Sequence, residues 1–495
     1  MAIVHEKGRT EASAVGAKLS ELNAMYMFLS ALYVGTMAWV WYGIIVSGGE
    51  NYLRYVIFHI AGFLLAFSIS YFIRPYKVGI PLANFVSRFS PKKDVLAFSI
   101  LAMCALLSFT HWLHMGTVPV IAAWWLADVS DVAKVRSEIG DLSRFPYSYF
   151  PTFVIKAAIP VISIYYLAKG RDIWLWVAVA VGLAYALSLM QKSYPLFIVL
   201  PLALYALTTR RYFISILAAA LGGLSLIILV AVANPSMRSV ISNPFETQRT
   251  STASQLTTQD GAVATATTKA GQALSETRPS PNATASEAGP PLSETTDVPT
   301  GRAGKSTAAD IGTDSVEALQ DIVTGLSQRV LFRPGAAALK WLQTFPRVYD
   351  YQWGCGYRFI APFAGCQFVA LPTLLYEHYY PRYVADGVKG SMNAAHFVME
   401  YANFGPAGVA AAGALVGIVL LGITVLLSGL ELKASIVLNL PFIIALGSTS
   451  LHTTLLSGGW LLTILLSLIL LEGRPSRATS KEKTTPGFAV RLSHR

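Results

Sequence analysis

Charge is what this sequence has least of. Only 13% of its 495 residues are Asp, Glu, Lys or Arg, against 54% hydrophobic, where soluble domains carry about a quarter charged. That shortage excludes an ordinary soluble domain. Cysteine is scarce as well, and three residues cannot build a disulfide framework. Cys104 falls in an apolar run, which leaves Cys355 and Cys366 as the one possible pair, an optional bridge in an oxidising compartment. Chemical signatures are missing too. No Walker loop follows a strand, no His-Glu-x-x-His or Cys-x-x-Cys occurs, and Gly354-Cys355-Gly356 lacks a third glycine in register. No cofactor is expected. Between residues 246 and 331 there is no aromatic residue.

What is present is long apolar runs. Windows of mostly apolar residues lie at roughly 22–46, 52–73, 94–113, 151–168, 173–190, 194–208, 212–233, 404–428, 434–451 and 453–471. About 20 such residues cross ~30 Å of hydrocarbon. The expected fold class is therefore an all-α polytopic integral membrane protein with about ten transmembrane helices. The first residues are polar with no small-residue cleavage site after them, so no removable signal peptide is expected.

The net charge of +11 raises a nucleic-acid reading. The cations, however, gather in short loops and the tail, above all Arg74, Lys77, Arg88, Lys92 and Lys93, then Arg210 and Arg211. The positive-inside rule turns that pattern into a topology with both termini inside and the long loop outside. Segments 114–150, Gln191–Pro195 and 234–403 then share the outer face. No nucleic acid is expected as a partner; membrane lipids are.

The resulting organisation is a cytoplasmic N-terminus (1–21), a first membrane part of about seven spans (22–233), and a disordered Ser/Thr/Ala/Pro-rich outer loop (234–315). An ordered outer loop carrying the catalytic groups and short amphipathic helices follows (316–403), then a second membrane part of about three spans (404–471) and a basic cytoplasmic tail (472–495).

Several outer-side groups are candidates for chemistry, each with a plainer alternative. Arg329 and Arg333 lie four apart, on one helical face before Pro334. They suit a phosphate or pyrophosphate, or anchor to lipid headgroups. Lys192 falls in the break between two apolar spans, where a cation either faces a polar cavity or snorkels to the surface. Arg136 sits in an interfacial amphipathic stretch behind Trp124 and Trp125, whose charges are mostly a solvated face. Asn393, His396 and Glu400 at i, i+3 and i+7 share one helix stripe, with His396 and Glu400 one turn apart. They read as a base with its orienting carboxylate, or as a capped helix with an unreactive histidine. Two ligands without a third make no metal site, so none is expected. Asp350, Glu377 and Asp386 lie on the same side as further bases. The aromatic run with Trp341, Tyr349, Tyr351 and Trp353 suits sugar stacking or interfacial anchoring.

Taken in order, four stretches carry a resemblance. They are Ala133–Glu138 around Arg136, the Lys192–Pro195 break, Arg329–Pro334, and Ser391–Asn393 through Phe404–Gly408. The chain resembles the bacterial oligosaccharide repeat-unit polymerases, the Wzy-type O-antigen and exopolysaccharide polymerases, over roughly residues 95–425. The resemblance implies a fold like the multi-span GT-C-type glycosyltransferases and a metal-independent glycosyltransferase at the outer face of the bacterial inner membrane. Its substrate is a polyprenyl-pyrophosphate-linked oligosaccharide, whose growing glycan passes to a sugar hydroxyl of an incoming lipid-linked unit. Arg329 and Arg333, joined by Lys192 or Arg136, are implied to hold the pyrophosphate, His396 or Glu400 to take the proton, and Asn393, Tyr351 and Trp353 to meet the glycan. Implied partners are a chain-length-regulating co-polymerase and a flippase. An O-antigen ligase or another polyprenyl-phosphate-dependent glycosyltransferase, and a lipid-linked saccharide transporter or flippase, are the alternatives.

Overall fold

The computed structural model describes residues 2–73, 92–126, 131–132, 134–135, 146–233, 332–385 and 387–471, and these contain helices and no strand. They belong to one compact unit. The Ser/Thr-rich segment 234–315, Arg329 and Arg136 lie outside the described residues.

Every apolar window contains a helix, because a chain with so few charges can satisfy its backbone donors in hydrocarbon only within itself. In chain order these are α1 (Ala2–Val46), α2 (Arg54–Ile73), α3 (Lys93–Met115), α5 (Ile159–Lys169, continuing a π-helical turn over Thr152–Ala158), α6 (Asp172–Ser188), α7 (Tyr194–Thr208) and α8 (Tyr212–Ala233). After the loop come α12 (His396–Leu427), α13 (Leu432–Ala445) and α15 (Trp460–Leu470). Short helices fill the gaps: α4 (Pro119–Trp124), α9 (Arg333–Thr344), α10 (Leu371–Tyr379), α11 (Pro381–Ala385) and α14 (Leu451–Leu455). Seven stretches are long and apolar enough to cross a membrane: Asn23–Val46, Glu50–Ile69, Lys93–Met115, Tyr147–Lys169, Tyr212–Ala233, His396–Leu427 and Leu451–Leu470.

One end of the bundle is tied by ions. Arg171 pairs with Asp94 at 2.7 Å and Arg211 with Asp172 at 3.5 Å. The Tyr205 hydroxyl donates to Glu431 at 2.7 Å, Lys433 to the Thr208 carbonyl at 2.6 Å, and Lys93 to the Leu471 carbonyl at 2.8 Å. These contacts bring the ends of α3, α5, α6, α7, α13 and α15 to one level. Three of the helices that leave this level, α6, α7 and α13, have 17, 15 and 14 residues. At 1.5 Å per residue they reach only about 21–26 Å, short of ~30 Å of hydrocarbon. They pack side by side. Their shortfall therefore falls at the opposite end, the end that also carries residues 332–395.

α12 is not the straight span that the apolar window 404–428 predicts. It starts eight residues earlier, at His396, and breaks at Gly405, whose backbone (φ 63°, ψ −150°) is open only to glycine. A Cβ at Gly408 would fall on the Glu400 carbonyl. Those positions lie about 12 Å apart in a straight helix, so the two limbs fold back sharply. Pro406 has no N–H for the Ala402 carbonyl. The loop supplies it instead: Gln352 N–H donates to Ala402 at 3.0 Å and Trp353 N–H to the Asn403 carbonyl at 2.8 Å. The second limb runs along α2, where Gly62 meets the Ala410 carbonyl and Gly413 meets that of His59. Small residues there let the backbones touch, the packing device of helices in lipid.

α9 is amphipathic as expected for the ordered loop, burying Gly335, Ala338, Leu339 and Leu342 at i, i+3, i+4 and i+7. Trp341 Nε1 donates to the Met392 carbonyl at 3.0 Å, fixing the segment that enters α12.

Candidate functional site

The loop is pinned in three places. A Cys355–Cys366 disulfide closes it, so the one pair the sequence allowed is formed. Asn403 Oδ1 accepts from Gly356 N–H at 3.1 Å, while its Nδ2 donates to the Met399 carbonyl at 2.9 Å. Val369 N–H donates to the Cys355 carbonyl at 2.9 Å.

These ties shape a cavity of about 370 Å³ between α9, the disulfide loop, the start of α12 and α14. Its polar wall is Arg358, Ser391, Asn393, Ser450, His452 and Thr453. Arg358 lies 5.1 Å over the Phe368 ring and is otherwise exposed. Ser450 donates to Thr453 Oγ1 at 2.7 Å, and His452 Nε2 lies 3.3 Å from Thr453 Oγ1. His452 Nδ1 is buried with no hydrogen-bond partner. Its ring meets Tyr357 edge-on at 4.9 Å.

Beneath the wall sit Tyr357 and Glu400, both buried. The Tyr357 hydroxyl makes no hydrogen bond of good geometry. Burial, and after it the charge of the Glu400 carboxylate, push this phenol well above its ordinary value.

A second cavity, of about 530 Å³, shares Phe359 and His452 with the first. It runs along Leu456, Leu461, Leu462 and Leu465, three of them exposed leucines on the outside of the bundle. A cavity that carries Arg358, Asn393 and several hydroxyls and a leucine-lined groove thus meet at Phe359 and His452. Such a pair fits a ligand with an anionic or hydroxylated head and a hydrocarbon tail.

The site residues expected from sequence fall in different places. Asn393 lines the first cavity. It is not on a helix stripe with His396 and Glu400, because Met392 N–H donates to the Pro372 carbonyl and His396 N–H to the Leu446 carbonyl. With those donors spent on neighbours, the chain stays extended until α12 begins at His396. His396 and Glu400 are buried. The histidine turns to Tyr33 and to the Leu446 carbonyl, at 3.0 and 3.3 Å. Arg333 is exposed at the start of α9, two turns before Trp341, and lines neither cavity. Lys192 is half-buried in the α6–α7 hairpin, at the loop end. The Tyr351 hydroxyl lies 3.3 Å from that of Tyr401, and its ring lies against Gly405. Trp353 is 67% exposed. Asp350 and Glu377 are exposed, and Asp386 lies outside the described residues.

Arg358, Tyr357 and His452 are the residues that sequence reasoning missed. Histidine at the start of an apolar window is costly in hydrocarbon, and that was the available signal for His452. Among the described residues no group of three or more His, Cys, Asp or Glu side chains converges on a metal-sized point. No protein-family model, curated protein or solved structure matches the chain.

Proposed function

We propose that the chain is a membrane glycosyltransferase that polymerises polyprenyl-pyrophosphate-linked oligosaccharide repeat units, without a metal, at the outer face of the bacterial inner membrane. The observation that carries this reading is the junction, at His452 and Phe359, of a cavity bearing Arg358, Asn393 and several hydroxyls with a leucine-lined groove. The groove takes the start of the polyprenyl tail, and Arg358 meets the pyrophosphate as a preorganised cation aimed at the charge that develops on departure. Arg329 and Arg333 act as approach cations on the same side. Asn393 and the hydroxyls of Ser450 and Thr453 meet the sugar, with Tyr351 and Trp353 beyond them.

In the transfer, an acceptor hydroxyl oxygen bonds to the anomeric carbon as the carbon–oxygen bond to pyrophosphate breaks. The pyrophosphate leaves with the electron pair. The proton goes to His452, the cavity-lining base, held in place by the Tyr357 ring and by Thr453. His396 is no longer the base in this assignment, because its lone pair is occupied by Tyr33.

The reading includes ten spans, with the loop end outside. Two observations support that orientation. A disulfide belongs on an oxidising side, and Lys93, Lys169, Arg171, Arg210, Arg211 and Lys433 cluster at the other end. A chain-length-regulating co-polymerase and a flippase are the proposed partners. The broken helix α12 favours one second reading, transport of the lipid-linked unit, since discontinuous helices line transporter sites.

Glycan length in cells carrying Arg358→Ala or His452→Ala tests the proposal, with protein level and insertion confirmed. Loss of polymer with single units still displayed outside is the expected result. Loss of glycan of every length, with units held on the inner leaflet, points to transport. An unchanged ladder in both variants overturns the assignment of this site.

A further inference from the structure

Lys156 is a cation that the proposed chemistry leaves unused. It lies on the π-helical turn Thr152–Ala158, inside the apolar stretch Tyr147–Lys169. Thirteen residues separate it from Lys169 at the ionic end, about 20 Å along a helix. That is the level at which α7 begins, and Lys156 Nζ indeed lies 5.6 Å from the ring centroid of Tyr194 and 5.1 Å from that of Phe197. Lys156 therefore sits inside the bundle, level with the start of the short helix α7.

Its surroundings hold the backbone and leave the charge uncompensated. Thr463 Oγ1 donates to the Lys156 carbonyl at 3.2 Å, bonding an acceptor in a turn whose ladder is shifted. Gly459, at the head of α15, would carry its Cβ 3.6 Å from that of Lys156. The ammonium itself rests on two ring faces, and among the described residues no carboxylate pairs with it. Lys192, two residues before Tyr194, adds a second cation beside the same hairpin. Ring faces do not neutralise an ammonium. A charge kept at that depth in an apolar span marks a ligand route.

We infer that Lys156 is a phosphate-binding cation, which takes the phosphate or pyrophosphate of a lipid-borne ligand entering between the helices from the loop end. The inference requires the chain to sit in a membrane and is independent of the polymerase reading. Lipid-linked substrate and bulk phospholipid both present this chemistry, and the experiment separates them.

The full chain is placed in phosphatidylcholine nanodiscs, and binding of farnesyl pyrophosphate and of farnesol is followed by tryptophan fluorescence, with thermal melting recorded alongside. Wild type and Lys156→Arg are expected to hold the pyrophosphate more tightly than the alcohol. Lys156→Met is expected to weaken the pyrophosphate by about tenfold or more and to leave farnesol unchanged. Where Lys156→Met does not fold, Lys156→Gln carries the same test. Equal pyrophosphate binding by wild type and variant, or equal loss of both probes, overturns the site. In discs containing phosphatidylglycerol, native mass spectrometry then assigns the source. Phospholipid retained by wild type and lost from Lys156→Met makes bulk headgroups the ligand, while loss of the pyrophosphate alone makes it a pyrophosphate carrier. A normal glycan ladder in Arg358→Ala beside lost pyrophosphate binding in Lys156→Met would sink the polymerase reading and keep this site.

Discussion

Tyr33 donates its hydroxyl proton to Nε2 of His396 across 3.0 Å, joining two helices 363 positions apart in sequence. The direction follows from the neighbours. His396 Nδ1 faces the Leu446 carbonyl at 3.3 Å, an acceptor only, so that nitrogen carries the ring proton and Nε2 the lone pair. With its proton committed, Tyr33 accepts from His59 Nε2 at 2.6 Å. His59 Nδ1 is then the acceptor that Trp41 Nε1–H reaches at 3.4 Å. Donors and acceptors alternate from α1 through α2 to α12 and the end of α13 without a charge. A neutral, satisfied chain is the form in which polar groups persist in an apolar interior, and it fixes where α12 starts.

Tyr33→Phe removes the middle link and leaves a buried N–H on His59 and a buried lone pair on His396. The expected loss is about 1–3 kcal/mol of stability, read as a lower melting temperature in detergent micelles or nanodiscs. If the chain of bonds is structural, glycan length per folded molecule stays at the wild-type value. A variant as stable as wild type would show that the links carry no weight.

Gly405→Ala addresses the break in α12. Its φ of 63° and ψ of −150° lie in a region essentially confined to glycine, and holding an alanine there costs on the order of 1–3 kcal/mol. A Cβ there would also press on the Tyr351 ring at 3.0 Å. The expected outcome is a destabilised loop end, seen as faster proteolysis within 346–370 before any change in the spans. An alanine variant with the wild-type cleavage pattern would contradict the folded-back geometry.

Much of the architecture was legible in the sequence because hydrocarbon imposes a one-dimensional rule. Each of the ten apolar windows contains a helix, seven of them long enough to cross. Elimination left Cys355 and Cys366 as the one possible pair, and the structure decides that they bond. The site was less legible. Arg358 and His452 lie almost a hundred positions apart and share a wall only because a loop backbone caps the Gly405–Pro406 break. His59 and Tyr33 are polar groups inside apolar runs, and periodicity alone does not single them out. The stripe of Asn393, His396 and Glu400 presumed a helix, whereas neighbouring carbonyls bind the backbone donors at 392 and 396 and delay its start.

The Tyr357 phenol gives a pH dependence. Burial, then the Glu400 carboxylate, raise it above the unfolded value of about 10. A raised acid binds more protons folded than unfolded. Its stabilising effect is therefore complete below pH ~10 and is lost as pH climbs past that value. Phenolate absorbance during alkaline titration should show one late-titrating tyrosine fewer in Tyr357→Phe, and that variant should lose less stability than wild type between pH ~10 and the end of the titration. Identical titration curves would mean that Tyr357 ionises freely in the folded protein.

The disulfide separates stability from chemistry at the cavity. Closing a loop of 11 positions is worth about 3 kcal/mol by loop entropy, and the loop carries Arg358 and Phe359. The spans do not depend on it. Cys355→Ser is therefore expected to leave membrane insertion and the melting of the helical bundle near wild type while glycan polymer shortens or disappears. Cys366→Ser should reproduce the defect, and the double variant should be no worse than either single one, since each removes the same bond. A double variant clearly worse than both would mean that the cysteines act separately, and full activity in all three would mean that the loop holds Arg358 in place without the bridge.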